Sequence, residues 1–335
     1  MKYIINGKFL SQELTGVQRY AREIILELDK LIPKGFICLA IPVNGTQSIN
    51  LENIEIRVIG KHTGTVWEQI DFPRYAKKNQ LIPINLCGPS PISFPGIVVL
   101  HDVTFKAYPE TFTKRFRLWY EILFRNSLKK AKCLVTISKF SENEIKKYYH
   151  SDRTFKIIPN AWQHFDRIHE DRDTLSRYRL IAGNYYFTLG SLKPNKNLSW
   201  IAECAKQNPG ELFVVAGGVN EKNFENGMGF SVPSNMKLIG YVGDEEAKEL
   251  MSKCKVFLFP SLYEGFGIPP LEALSSGCKR VLVSDIPVMH EIFGDAISYI
   301  TDYNLYCKES DNSVLGMFSW KESARLLLDI LLNNN

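Results

Sequence analysis

The sequence holds no Cys-x-x-Cys, no His-Glu-x-x-His, and no apolar run near the roughly 18 residues that a membrane-crossing helix requires. Its seven cysteines, at positions 38, 87, 133, 204, 254, 278 and 307, are scattered and odd in number. That argues against a disulfide framework and for free thiols in a reducing cytoplasm. The histidines at 62, 101, 150, 164, 169 and 290 lack close metal-ligand spacing. A single Asp-x-Asp occurs, Asp171-Arg172-Asp173, but it lies in a charged stretch and not after an apolar strand, so it reads as solvated. No repeat of 20–50 residues and no low-complexity tract is visible. The opening "MKYIINGKFLSQELTG" has its apolar stretch broken by Asn6, Gly7 and Lys8, and it lacks the run and cleavage site of a secretory leader.

What is present is ordinary globular composition, 45% hydrophobic and 23% charged, over 335 residues. That length favours two domains over one. The net charge of +5 conceals an asymmetry. Residues 1–165 hold 24 Lys and Arg against 14 Asp and Glu, a balance of +10, and the remainder holds 17 against 22, a balance of −5. A basic first half and an acidic second half suggest two units with different partners.

Apolar, β-branched runs alternate with helical periodicity throughout. "KYIING", "FICLAIPV", "IEIRVIG", "IPINLCG", "GIVVLHD", "KCLVTIS" and "FKIIPNA" read as strands of a first half. "YYFTLGS", "ELFVVAGG", "MKLIGYVG", "KVFLFPS" and "RVLVSD" read as strands of a second. The helix after the first strand shows Val17, Tyr20, Ile24, Leu28 and Leu31 at three- to four-residue spacing. This pattern predicts α/β architecture, two doubly wound parallel sheets with a cleft between them. The expected divisions are a domain over 1–165, a charged linker over 166–183, a second domain over 184–318, and a closing helix over 319–335 that packs back on the first domain. Ligands of such sheets sit beyond the carboxyl ends of the strands, so the informative motifs are those just after strands.

One such motif is "PSLYEGFGIPPLE" at 260–272. Glu264 stands past a strand end, Gly265 and Gly267 let a ligand approach the backbone, and Pro269 and Pro270 suit the start of a helix. Glu272 falls in the first turn of that helix, whose free N–H groups attract anions. The loop therefore offers anion-binding amides with a carboxylate on either side, suited to the vicinal hydroxyls of a sugar or ribose. The plainer reading is a Gly-Pro turn with a carboxylate on a helix dipole.

The spacing E-G-F-G-x-P-x-L-E resembles the signature of the retaining glycosyltransferases of the large GT4 group, which have the GT-B fold. "VSDIPVMHEIFGDAI", "TLGSLKPNKNL", "TGVQRYAREI", "VVLHDVTF", "VTISKFSENEI" and "KIIPNA" resemble other segments of that family, so the likeness runs over nearly the whole chain. It implies two Rossmann-like domains facing across a cleft, with the acceptor on the first and the nucleotide sugar on the second. By the same resemblance Glu264 contacts the donor sugar, helped by the N–H groups around Gly265, Phe266 and Gly267. Glu272 holds the ribose, and Lys196 neutralises the diphosphate. The family's usual neighbouring arginine is missing, since Asn195 and Ser191 occupy its places, and Lys193 is the other cation of the loop. Gly16 passes close to the diphosphate or acceptor, Arg19 faces the same cleft, and His101 reaches the sugar with Asp102 beside it. Glu291 contacts the nucleotide or caps a helix.

The reaction so implied is transfer of a hexose, of mannose or rhamnose type, from a nucleotide diphosphate to an acceptor hydroxyl with retention, in bacterial O-antigen or capsule synthesis. Glu264, His101 and Lys196 would be its catalytic groups. The transition state places charge on the leaving diphosphate, which fixed donors must stabilise. Neither a metal nor a cofactor is expected, because lysine and helix dipoles hold the diphosphate. The alternatives are a sugar-nucleotide epimerase of similar fold and a non-catalytic sugar-nucleotide-binding subunit. The stretch "KRFRLWYEILFRNSLKKAK", 114–132, predicts an amphipathic helix, with Phe116, Trp119, Tyr120, Leu123, Ser127 and Ala131 on one face and Lys114, Arg117, Glu121, Arg125, Lys129 and Lys132 towards the other. It is either an ordinary surface helix or a basic patch that approaches anionic membrane or a polyprenyl-diphosphate-linked acceptor. That makes the expected location cytoplasmic, peripheral on the inner face of the membrane. No nucleic-acid motif accompanies the charge.

Overall fold

A computed structural model describes residues 2–45, 48–191, 193–218 and 231–333. The chain divides into two compact units. The first comprises Met1–Lys106, Phe112–Asn160 and Ser319–Asn335; the second comprises Ala107–Thr111 and Ala161–Phe318.

The first unit is built on seven parallel strands: β1 (Tyr3–Asn6), β2 (Ile37–Ile41), β3 (Glu55–Val58), β4 (Ile82–Asn85), β5 (Ile97–Val99), β6 (Cys133–Thr136) and β7 (Phe155–Ile157). Their order is β3-β2-β1-β4-β5-β6-β7. Tyr3 of β1 lies opposite Ile37 of β2 and Ile82 of β4, so the strand order reverses at β1 and β4. Tyr3, Ile4 and Ile5 are wholly buried, as expected of a central parallel strand covered on both faces. The covering helices include α1 (Gly16–Asp29), α2 (Phe72–Lys78), α3 (Lys114–Lys130) and α4 (Lys139–Tyr149). A π-helical turn, Trp67–Asp71, leads directly into α2. It is pinned by the buried indole of Trp67, whose Nε1 donates to Ile59 O at 2.8 Å.

The second unit has six parallel strands: β8 (Tyr185–Leu189), β9 (Leu212–Ala216), β10 (Met236–Gly240), β11 (Val256–Phe259), β12 (Val281–Ser284) and β13 (Ser298–Ile300). Their order is β10-β9-β8-β11-β12-β13, with the reversal at β8 and β11. Its helices include α5 (Leu198–Gln207), α6 (Asp244–Lys253), α7 (Ile268–Ser275) and α8 (Pro287–Phe293). The edge strand β13 was not expected from the sequence. Its three residues, "SYI", are only half-buried and too few to display a period.

The last helix, α9 (Trp320–Asn333), belongs to the first unit. Its Trp320 meets Tyr20 of α1 edge-on at 6.0 Å. Ser323 Oγ donates to Pro159 O at 2.8 Å, and Tyr3 Oη donates to Leu331 O at 2.6 Å. The charged stretch 166–183, expected as a linker, lies instead within the second unit, and the division falls between Asn160 and Ala161. The cause is visible in its bonds. Lys248 of α6 donates to Phe165 O and Ile168 O at 2.8 and 2.9 Å, and Asp171 N donates to Glu245 O at 3.2 Å. The change in composition marks a solvated surface strapped to α6, not a joint.

Candidate active site

In the second unit the strand order reverses between β8 and β11, which is where a doubly wound sheet opens a crevice beyond its strand ends. The loop after β8 carries Lys193 and Lys196, and the loop after β11 carries Glu264 to Gly267. The two loops are tied by backbone: Leu262 N donates to Asn195 O at 2.8 Å. Asn195 itself is buried, and its Nδ2 donates to Tyr263 O at 3.3 Å.

This scaffold brings Lys196 Nζ onto Glu264 Oε1. The ammonium also lies 5.5 Å from the centroid of the Phe259 ring. The two charged side chains are 22% and 16% exposed. An ammonium and a carboxylate thus stand side by side at the crevice, half shielded from water, where their fields are stronger than on an open surface.

The sequence around Glu264 explains how the loop is held. Phe266 is buried and meets Phe318 edge-on at 5.2 Å, so its side chain anchors the loop and its backbone is what the crevice sees. Gly267 has φ +102°, and a Cβ there would lie 2.7 Å from the Met289 methyl carbon, so only glycine fits. Gly265, just before them, is also buried. α7 then begins at Ile268, with Pro269 and Pro270 in its first turn.

Glu272 is therefore one turn inside α7, not in its first turn as the sequence suggests. It is buried, and His164 Nε2 donates to its Oε1 at 2.7 Å. His164 is 2% exposed, its ring edge-on to Phe165. Glu272 Oε2 makes no hydrogen bond among the described residues. Sequence reasoning missed His164: it precedes its partner by 108 positions, and no local spacing announces such a pair. Lys193 is exposed at the loop's start, and Glu291 is exposed on α8.

The remaining sequence candidates belong to the first unit. Gly16 is the exposed first residue of α1, capped by Thr15, whose N donates to Gln18 Oε1 at 3.3 Å. Arg19 is half-buried one turn on, and its N donates to Thr15 O at 2.8 Å. His101 follows β5 and is buried, with Nε2 donating to Leu86 O at 2.7 Å. A carbonyl can only accept, so Nε2 carries the proton of the neutral ring and Nδ1 is left as an acceptor. Burial pushes the His101 imidazolium below the usual histidine range, opposed by the Leu86 carbonyl and by Asp102. Asp102 Oδ1 accepts from Thr104 N at 2.8 Å and from Thr104 Oγ1 at 2.6 Å, which turns the chain into the helical turn Thr104–Ala107.

In α3 the inward face is the one the sequence pattern implies, widened by Phe124 and Leu128. Leu123, Phe124, Ser127 and Leu128 are buried, and Phe116, Trp119 and Tyr120 are half-buried. Leu118 and Ile122 face out, 65% and 45% exposed, beside the exposed Arg115, Arg125 and Lys129. Among the described residues no helix is long and apolar enough to cross a membrane, and no cluster of three or more His, Cys, Asp or Glu is placed to hold a metal.

Residues 179–313 match the family model described as glycosyl transferases group 1. The matched segment lies within the second unit. Over 208 residues the chain is 28% identical to the O-antigen chain mannosyltransferase RfbU of Salmonella typhimurium, covering 61% of this chain and 56% of that protein. It is also 28% identical over 216 residues to O-antigen chain mannosyltransferase B of Escherichia coli, covering 60% of this chain and 56% of the relative. The matched stretch thus spans just over half the length of these relatives. Among solved structures, HepE of Anabaena in complex with UDP superposes with a TM-score of 0.66 at 14% identity, covering 99% of this chain and 100% of HepE. At that identity the likeness establishes the fold, two Rossmann-like units of GT-B type. The Lys196–Glu264 pair, the 265–267 backbone and the buried Glu272 all lie inside the matched glycosyltransferase segment.

Proposed function

We propose that the chain is a retaining glycosyltransferase that moves a mannose- or rhamnose-type hexose from a nucleotide diphosphate to a glycan or lipid-linked acceptor in bacterial O-antigen or capsule synthesis. The observation that carries this reading is the Lys196–Glu264 pair at the strand-order reversal of the second sheet, with Glu272 held by His164 on the helix that follows. The mannosyltransferase relatives favour the mannose-type donor.

In this mechanism Glu264 hydrogen-bonds and orients the sugar. Lys196 and the 265–267 amides take up the charge that develops on the departing diphosphate, with Lys193 as a second cation. Glu272 uses Oε1 to hold its own His164 and offers Oε2 to a ribose hydroxyl. Within the first unit, neutral His101 offers Nδ1 as a hydrogen-bond acceptor, while Gly16 and Arg19 present the start of α1. Asp102 shapes the His101 loop through Thr104, and Glu291 lies on the nucleotide side. The acceptor attacks from the face the leaving group departs, and the phosphate takes its proton, so configuration is retained. The donor is a substrate, and this reading includes no metal or bound cofactor.

The first unit meets an anionic membrane through α3. Leu118 and Ile122 insert, and Arg115, Arg125 and Lys129 pair with headgroups, which places the enzyme on the inner membrane face. The test is a donor panel of GDP-mannose, dTDP-rhamnose and UDP-sugars, scored for nucleotide release with and without a mannosyl lipid, and NMR of the product's anomeric proton. Release and transfer from one donor with the anomeric configuration kept is the expected result. No turnover with any donor, or inversion, overturns the reading.

A further inference from the structure

The first sheet has its own reversal of strand order, between β1 and β4, and a network of polar side chains stands at the carboxyl ends of those two strands. Asn6, the last residue of β1, donates through Nδ2 to Asn85 Oδ1 at 2.9 Å, at the end of β4. The same amide reaches Glu68 Oε1 at 3.2 Å, and Lys8 Nζ donates to Glu68 Oε2 at 2.7 Å. Lys8 and Glu68 are 20% and 12% exposed. Glu68 comes from the π-helical turn 67–71, a rare geometry found disproportionately at functional sites.

Stability does not account for the pair. Withdrawing an ammonium and a carboxylate from water costs several kcal/mol per ion, and apolar replacements of such pairs are often neutral or better. A ligand does account for it. Each carboxylate oxygen of Glu68 accepts one hydrogen bond and has capacity for another, and Lys8 retains donors beyond the one given to Glu68.

Two further groups complete the surroundings. Tyr120 of α3 is half-buried, and its hydroxyl makes no hydrogen bond among the described residues. Its ring stacks on Phe116 at 4.0 Å. Burial, then the charges of Glu68, Asp102 and Cys87, push its phenol up to about 12. Next to Glu68, the Gln69 side chain spends Oε1 on Ile92 N at 3.0 Å while its buried Nε2 has no partner. A carboxylate, an ammonium, a phenol and an aromatic face are the groups that recognise the hydroxyls and the C–H face of a pyranose.

We propose that Lys8, Glu68 and Tyr120 form the acceptor-sugar subsite of this chain, binding a neutral pyranose by its vicinal hydroxyls. The inference rests on the glycosyltransferase reading and adds the residues that select its acceptor. Asn6 and Asn85 are positioning residues, which fix Glu68 against the two strand ends.

Two measurements test it separately from that reading. The first is saturation-transfer NMR of methyl α-mannopyranoside and methyl α-rhamnopyranoside with the full chain and no donor. Wild-type protein should saturate one glycoside's ring protons. Glu68→Gln, Lys8→Met and Tyr120→Phe should weaken binding roughly tenfold or more for the charged positions and less for the phenol, the range of a hydrogen bond to a charged or a neutral group. Glu55→Gln, exposed on β3, is the control. The second is steady-state transfer, in which the Glu68→Gln and Tyr120→Phe variants should raise KM for the mannosyl acceptor with little change in KM for the donor. The subsite is overturned if neither glycoside saturates, if binding survives Glu68→Gln, if donor and acceptor KM rise together, or if both variants lose the folded baseline in thermal melts. Glycoside binding without any transfer activity would instead sink the glycosyltransferase reading and leave this subsite standing.

Discussion

The two units share a topology and differ in how each furnishes the point where its strand order reverses. In the second, the polar groups ride on a glycine- and proline-rich loop and the helix after it, and Lys196 and Glu264 are partly open to water. In the first, the polar groups come from two strand ends, the turn just after one of them and a π-helical turn, and they are bonded to one another. The same sheet can thus present charge at a loop built for close backbone approach, or in a pre-formed side-chain network. The first arrangement suits a ligand carrying phosphate, which needs N–H groups and a cation. The second suits a neutral ligand that trades hydroxyl hydrogen bonds.

The contrast is sharpest if the Lys196–Glu264 pair is broken. Lys196→Ala and Glu264→Ala should each lower turnover by about 10²-fold or more, the range for removing one preorganised group from a charge-developing site. The double variant should cost less than the product of the two, because they act as a unit. Additive losses would show that the two residues work independently. Next in size is the buried acid. Glu272→Ala should weaken nucleotide binding by about tenfold while leaving more turnover than Glu264→Ala does. His164→Ala strands a buried carboxylate and should destabilise the fold by roughly 1–3 kcal/mol as well as weaken the nucleotide. Isothermal titration with nucleotide diphosphates and thermal melts separate these effects. Equal, small effects from Glu264→Ala and Glu272→Ala would contradict the roles assigned to them.

How much of this was legible in the sequence follows from the same contrast. Twelve of the strands show as apolar runs because parallel strands buried on both faces need them, whereas the half-buried β13 offers no such run. The 260–272 loop was readable because its groups are contiguous and each imposes a local demand, a glycine at φ +102° or prolines at a helix start. Glu272's partner was not, since His164 is an isolated histidine whose role exists only once the second unit has folded. The Asn6–Glu68–Lys8 network was equally invisible: its members are spread over the first 68 residues and joined by Asn85. Charge misled once, in the stretch 166–183, which is polar because it lies on the surface of the second unit.

A smaller effect separates the loop of the second unit from the rigid elements that frame it. Gly267→Ala must take φ +102° and crowd the Met289 methyl group at 2.7 Å. Strain of this kind costs about 1–3 kcal/mol. Denaturant unfolding should show that loss, and turnover should fall with it because the 265–267 backbone shifts. Gly277→Ala, also at positive φ but with nothing within 4 Å of its Cβ, should cost less. Equal losses at the two glycines would mean that the backbone angle, and not the packing on Met289, decides.

The smallest effect is expected in the first unit and concerns protons. His101 is buried, neutral and committed through Nε2 to Leu86 O, and burial holds its imidazolium below the ordinary value of 6.5. The unfolded chain therefore binds a proton more readily than the folded one between these two values. Stability from this group is fully present above pH 6.5 and is lost as pH falls below it, with a slope of at most about 1.4 kcal/mol per pH unit. His101→Gln keeps an amide donor for Leu86 O and cannot titrate, so its melts should be flatter than wild type between neutral pH and pH 5. Comparing the difference between the two proteins across that window cancels the carboxylates, which titrate in both. If the difference does not change with pH, His101 is not held neutral by its burial, and the first unit's site would then differ from the second's only in where its groups come from.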